Sequence, residues 1–213
     1  MVVLETPTIR TEPLSEIARN TFGSTASPAW CLRLLCDPSL SPIATPSRQP
    51  KLSSEDSFIA ETLATGNTIS AWQSFYKVLR PLSSRPLADT PSVDQTSGSP
   101  VAGELVSLLA LGRGINGHSN VAHGGLVATI LDDTMGMVVT LHRSPGMSGY
   151  TAFLNMKFRK PLATPSIVLC RTWLERSGGR KLWLRGTIED GEGGLFAEAE
   201  SLWIEIEKRV LKL

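Results

Sequence analysis

The apolar positions of the chain follow two regimes that meet near residue 100. In the second half, residues 105–111 form a short apolar run closed by Gly112, which predicts a buried strand leading into a glycine-rich loop. From His123 to about Arg143 no proline intervenes, and Leu126, Val127, Ile130, Leu131, Met135, Val138, Val139 and Leu141 spread around most of the helical circumference. An apolar stripe this wide predicts a helix enclosed by protein. Residues 151–159, 167–175, 181–189 and 195–205 then read as strands, separated by breaks at 161–165, 177–179 and 190–194. Those breaks are too short for a parallel crossover, so an antiparallel meander is expected. One strand, one enclosed helix and four antiparallel strands make an α+β layout, with a sheet curled around a single central helix.

The first half behaves differently. Eleven of the fourteen prolines lie at or before residue 100, whereas fifteen of the eighteen glycines lie after it. Residues 37–54 and 81–100 lack sustained periodicity and read as loop or linker, since proline removes a backbone donor and fixes φ. Between them, Ser53-Ser54-Glu55-Asp56 offers capping chemistry ahead of Phe58, Ile59 and Leu63, and a second apolar run continues through Ile69, Trp72, Phe75, Tyr76 and Leu79. One or two short amphipathic helices lying over the main domain are expected there. The resulting division is a Pro/Ser-rich, partly flexible extension at 1–54, short helices and linker at 55–99, the principal domain at 100–207 and a tail at 208–213. Removal of residues 1–50 is expected to spare folding.

Composition narrows the function classes. With 21 basic and 20 acidic residues and no cationic run, the chain lacks the electrostatic footprint of a nucleic-acid binder. Cys31, Cys36 and Cys170 are too scattered for a disulfide framework and supply no CxxC pair for zinc, which favours a reducing compartment. The longest apolar run, 126–141, is interrupted by Asp132 and Asp133, so no membrane span is expected. Glu5, Glu12 and Glu16 near the start argue against an acid-poor transit peptide; a cytoplasmic location is expected, with the mitochondrion left open. Residues 112–117 spell GxGxxG, but the helix begins several residues later and no second βαβ unit follows, so dinucleotide binding is disfavoured.

The candidate chemistry sits on the enclosed helix. At its start, His123-Gly124-Gly125 presents orphan N–H groups, unobstructed by glycine side chains, to a negative charge or a polarised carbonyl. Asp132 lies nine residues beyond His123, ~13 Å along the axis, so a bound acyl group rather than direct contact must bridge the two. A carboxylate within an apolar helix is costly unless it is paired or used, which makes Asp132 a functional candidate. Asp133, ~100° further round, is its rival. Each acid could simply bond a neighbouring amide, and His123 could serve only to fix the start of the helix.

The run from His123 through Gly136 resembles the core motif of hotdog-fold acyl-thioesterases, and residues 151–161 resemble the strand that follows it. Gly179-Arg180-Lys181-Leu182-Trp183 is similar to fungal members of the group, as is the 55–76 region. The resemblance implies hydrolysis of an acyl-CoA or acyl-carrier-protein thioester by a hotdog fold that assembles as a homodimer or homotetramer, with acyl sites at the subunit interface and neither metal nor redox cofactor. It also implies that Asp132 acts as general base or nucleophile, that the Gly124 amide polarises the carbonyl, and that Thr151 places water, often from the partner subunit. His123 completes the candidate catalytic set, with Gly125, Asn116, Asp133, Lys157, Arg159 and Lys160 as substrate-binding candidates. Relatives carry an Asn where this chain has Gly117, which is why Asn116 enters the set. Strand alternation places Leu154, Met156 and Phe158 on one face and Thr151, Asn155 and Lys157 on the other. Thr151 would then point away from its own helix unless the site is completed across a dimer or the strand carries a bulge. Two other functions remain open: dehydration or isomerisation of a carrier-bound acyl or polyketide chain in the same pocket, and non-catalytic acyl binding.

Overall fold

A computed structural model describes residues 9–79 and 103–207. The linker expected at 81–100 and the tail at 208–213 lie outside these residues.

Seven strands form one antiparallel sheet: β1 (Leu40–Ile43), β2 (Ile69–Val78), β3 (Gly103–Leu111), β6 (Met147–Phe158), β7 (Ser166–Gly178), β8 (Lys181–Glu189) and β9 (Leu195–Glu207). A two-stranded pair, β4 (Asn116–His118) and β5 (Val121–Ala122), stands apart from it, and the spatial order of the large sheet is β1-β2-β3-β7-β8-β9-β6. The sheet curls around α3 (Gly124–His142), so the α+β hotdog layout holds. Ile130, Leu131, Met135 and Val138 of α3 have no exposed surface and pack against Leu105, Leu109, Val168, Leu184 and Ile188 of the sheet. By length and hydropathy α3 would suffice to cross a membrane. Here the sheet covers one face, Leu126, Val127, Ile130, Leu131, Thr134, Met135, Val138 and Val139, and leaves the opposite face partly open, so the helix is less enclosed than its sequence predicts.

The expected meander needs one correction. β7, β8 and β9 are consecutive antiparallel neighbours, but β6 pairs with β9 rather than β7 and forms the far edge. The break at 161–165 is therefore no hairpin. It carries the chain past the start of α3, where Ala122 N–H donates to Leu162 O (2.9 Å) and Thr164 N–H donates to Asn120 O (3.0 Å).

The first half differs more. Residues 58–62 form a single helical turn, but Ile69–Val78 is a strand, and it lies in the interior of the sheet between β1 and β3. Its run reads as helical in the sequence because a strand buried on both faces shows no alternation. Ile69, Trp72 and Tyr76 face the α3 side, whereas Ala71 and Phe75 face a second apolar layer. Two short helices build that layer on the outer face of β2, β3 and β7: α1 (Glu16–Phe22), capped by the Ser15 hydroxyl accepting from Ala18 N–H, and α2 (Ala29–Leu35). Phe22 and Cys31 are fully buried there. Gly191 (φ +77°), in the turn after β8, lies so close to the Trp30 ring that a Cβ would come within 2.2 Å of it. The described part of the extension thus packs on the sheet through α1 and α2.

Candidate active site

His123 is the N-cap of α3. Its Nδ1 accepts from Gly125 N–H at 2.9 Å, which satisfies one orphan donor and assigns the ring proton to Nε2. Leu126 and Val127 N–H groups are taken by His123 O. Of the two glycine amides expected to be free, Gly125 is therefore occupied, and the Gly124 N–H alone has no acceptor among the described residues. It borders a cavity of about 330 Å³ whose lining includes Val127, Phe158, Leu162 and Phe196. A Cβ on Gly124 would stand 3.4 Å from the Phe158 ring, at the limit of what that ring tolerates.

Asp132 is half-buried, and Thr151 Oγ1 donates to its Oδ1 at 2.9 Å within the same chain. The bulge allowed for in the alternation argument supplies this contact. The β6–β9 register slips between Thr151 and Phe153, so the residues after it keep their facing while Thr151 turns toward the helix. Burial raises the Asp132 carboxyl above its ordinary range, and the Thr151 hydrogen bond partly opposes that rise. The arrangement is a carboxylate held as a proton acceptor, with an exposed hydroxyl beside it.

Asp133 points elsewhere. Its Oδ2 accepts from Ser47 Oγ at 2.8 Å. Burial pushes its carboxyl up to about 6, the Ser47 bond and the Arg48 charge pull down, and Asp56 and Asp132 push further up. Asn116 Oδ1 accepts from Thr164 Oγ1 and so braces the loop before α3. Gly117 is backed against His123, with a would-be Cβ 2.9 Å from the ring, so a side chain at this position would have to displace that ring. The three basic candidates each meet an acid: Lys157 and Arg159 share Glu198, and Lys160 reaches Asp190 at 2.9 Å. Arg159 and Lys160 line the cavity beside Gly124, whereas Lys157 lies in a separate groove with Glu198 and Glu200. Among the residues that sequence reasoning missed, Phe196 and Leu162 had no distinguishing pattern, and Ser47 lay in a segment read as loop.

The described residues form a hotdog-type sheet around a helix that carries a hydroxyl-supported carboxylate and, at its start, an N–H without an acceptor among them. The family model described as "Thioesterase superfamily" matches residues 119–197. The chain is similar to acyl-coenzyme A thioesterase THEM4 of Mus musculus, 37% identical over 103 residues that cover 48% of this chain and 43% of that one. It is also similar to verlamelin biosynthesis protein B of Lecanicillium sp, at 30% identity over 44% of this chain and 52% of that protein. The chain spans about half the length of these curated relatives. A solved structure of BH2602 from Bacillus halodurans with CoA aligns at 25% identity and a TM-score of 0.44, covering 47% of this chain and 66% of that one.

Proposed function

We propose that the chain hydrolyses acyl thioesters to free acid and thiol, with Asp132 as the base and the Gly124 amide as the oxyanion donor. The observation that carries this reading is Asp132, bonded by Thr151 of β6, on the same helix that presents the free Gly124 N–H. Thr151 and Asp132 hold a water, and Asp132 takes its proton as the oxygen attacks the thioester carbonyl. Charge gathers on the carbonyl oxygen against the Gly124 N–H, the C–S bond breaks, and the leaving thiolate takes up the proton. The apolar cavity beside Gly124 suits the acyl group, because the amide groups of a pantetheine arm would lose their hydrogen bonds there. The name of the mouse relative supports coenzyme A as the carrier. Asp132→Asn tests the assignment: thiol release from a panel of acyl-CoA and acyl-carrier thioesters should fall by about 10² or more, and an unchanged rate would sink it.

The working unit is a homodimer on this reading. Gly124 and Asp132 are eight residues apart, ~12 Å along one helix, too far to meet a single carbonyl. β6 is an edge strand of twelve residues that exposes Tyr150, Phe153 and Phe158, a surface suited to a second copy. A two-fold copy would set one subunit's Gly124 against the other's Asp132. Gly124→Pro deletes the N–H at the first helical position, where proline fits, and His123 already has the extended ψ of 132° that a following proline needs. Subunits carrying Gly124→Pro and Asp132→Asn, each inactive alone, should regain about a quarter of wild-type activity when mixed at random. That fraction assumes half the dimers are mixed and each holds one intact site. No regain would place both groups within one chain's site.

A further inference from the structure

The proposed chemistry uses one of two adjacent carboxylates, and the second is also built with care. Ser47, 7% exposed, comes from the turn Pro46–Arg48 and is the sole hydrogen-bond donor to Asp133 among the described residues. The next residue, Arg48, fastens the same turn by donating to Ile59 O (3.2 Å), Leu63 O (3.2 Å) and Ile69 O (2.8 Å). Its guanidinium is thereby committed to carbonyls, and it influences Asp133 as a nearby charge, without a direct ion pair. The remaining ionisable groups around Asp133 are Asp132 on α3, Asp56, which is itself paired with Lys51, and the Cys170 thiol of β7, kept protonated by burial. The site therefore places a second carboxylate next to Asp132 and ties it to a segment outside residues 119–197.

We propose that Asp133, held by Ser47, is a positioning residue for the reaction: it anchors α3 beside Asp132 and acts on Asp132 through its charge. The inference rests on Asp132 as the base. Asp132, less buried and supported by Thr151, ionises first as pH rises, and Asp133 follows near pH 6. The later ionisation adds a negative charge one residue from an already charged Asp132 and makes it a stronger base. Activity should accordingly climb in two steps, the upper one near pH 6. A base strengthened by about one unit gains roughly threefold in proton abstraction.

The test uses the full chain with ¹³C-carboxyl aspartate, the Asp132 resonance being assigned by its loss in Asp132→Asn. In wild type this resonance should show two inflections, the upper near pH 6. Asp133→Asn should abolish the upper inflection and keep the lower. Ser47→Ala removes a bond to the charged form, so the upper inflection should move up by about half a unit or more, and Ser47→Thr should return it. The pH profile of kcat/KM should lose its upper, roughly threefold step in Asp133→Asn. A single Asp132 inflection in wild type, or an upper inflection unmoved by Ser47→Ala, overturns the proposal. So does an Asp133→Asn protein whose activity falls equally at every pH with the titration unchanged, since that is the mark of a purely structural role. The resonance needs no turnover: failure to hydrolyse any thioester would refute the proposed function, and the titration would still judge the pair.

Discussion

Thr151→Val removes one hydroxyl at nearly constant volume, and its consequence follows from a single hydrogen bond. Thr151 Oγ1 donates to Asp132 Oδ1 at 2.9 Å and stabilises the charged carboxylate, opposing the rise caused by burial. A hydrogen bond to a charged group contributes about 1.5–3 kcal/mol when buried. Thr151 is exposed, so solvent competes for the carboxylate and about half of that, roughly 0.7–1.4 kcal/mol, is the relevant range. Since 1.36 kcal/mol corresponds to one pKa unit, the Asp132 carboxyl should titrate about 0.5–1 unit higher in the variant. The sign follows from the role of the base. The deprotonated form is active, so the acidic limb of kcat/KM should move to higher pH, with the greatest loss at the low end. Loss of the bound water's second partner adds a pH-independent decrease in kcat. The assay is thiol release from an acyl-CoA across the acidic range for wild type, Thr151→Val and Thr151→Ser, the last restoring the limb. If the limb stays within about 0.2 units of wild type while kcat falls uniformly, Thr151 does not tune Asp132 and the reasoning is wrong.

Two further outcomes check other links. Phe22→Ala empties a fully buried site between α1 and the outer face of the sheet and should cost about 3–5 kcal/mol, read by denaturant unfolding; a loss below about 1 kcal/mol would show that the outer layer contributes little. Asp133 sits about two units above its ordinary value, so the folded state binds more protons than the unfolded chain between about pH 4 and pH 6. Stability contributed by this group is therefore present at low pH and lost as pH rises through about 6, which leaves a penalty on the order of 3 kcal/mol at neutral pH. Asp133→Asn should raise Tm by roughly 6–12 °C near pH 7.5 and by little near pH 4.5; an equal gain at both would refute the burial argument.

What could be read in the chain tracks how each element is buried. α3 was legible because it is long and apolar on nearly every side, and β7, β8 and β9 because their turns carry glycine at the required places, Gly179 and Gly191 with φ of +59° and +77° among them. β2 was not, since both of its faces are covered and its ten residues match a buried helix segment as well as a strand. α1 and α2 are seven residues each, too short for a period to declare itself, and their stability comes from Phe22 and Trp30 docking on a sheet that local pattern does not reveal. Asp132 could be found from chemistry, an acid inside an apolar helix. The Thr151 contact required a bulge, and the Ser47 contact joins residues 86 positions apart, so neither has a local signature.

The two contacts act on α3 from different sides. Thr151, on the edge strand, holds Asp132, while Ser47, from the proline-flanked turn after β1, holds Asp133 one residue later. Only the first lies within residues 119–197, the part that matches the superfamily. Adjacent helix residues point ~100° apart, so a rotation of α3 that shortened one bond would lengthen the other. Together they fix the azimuth of the helix, and with it the direction in which the Asp132 carboxylate faces. Neither contact alone would restrain that angle in both directions, since Asp132 is only half-buried and Thr151 is exposed. The N-terminal half therefore supplies more than cover for the sheet: through Ser47 and Arg48 it sets the second of the two restraints on which the geometry of the base depends.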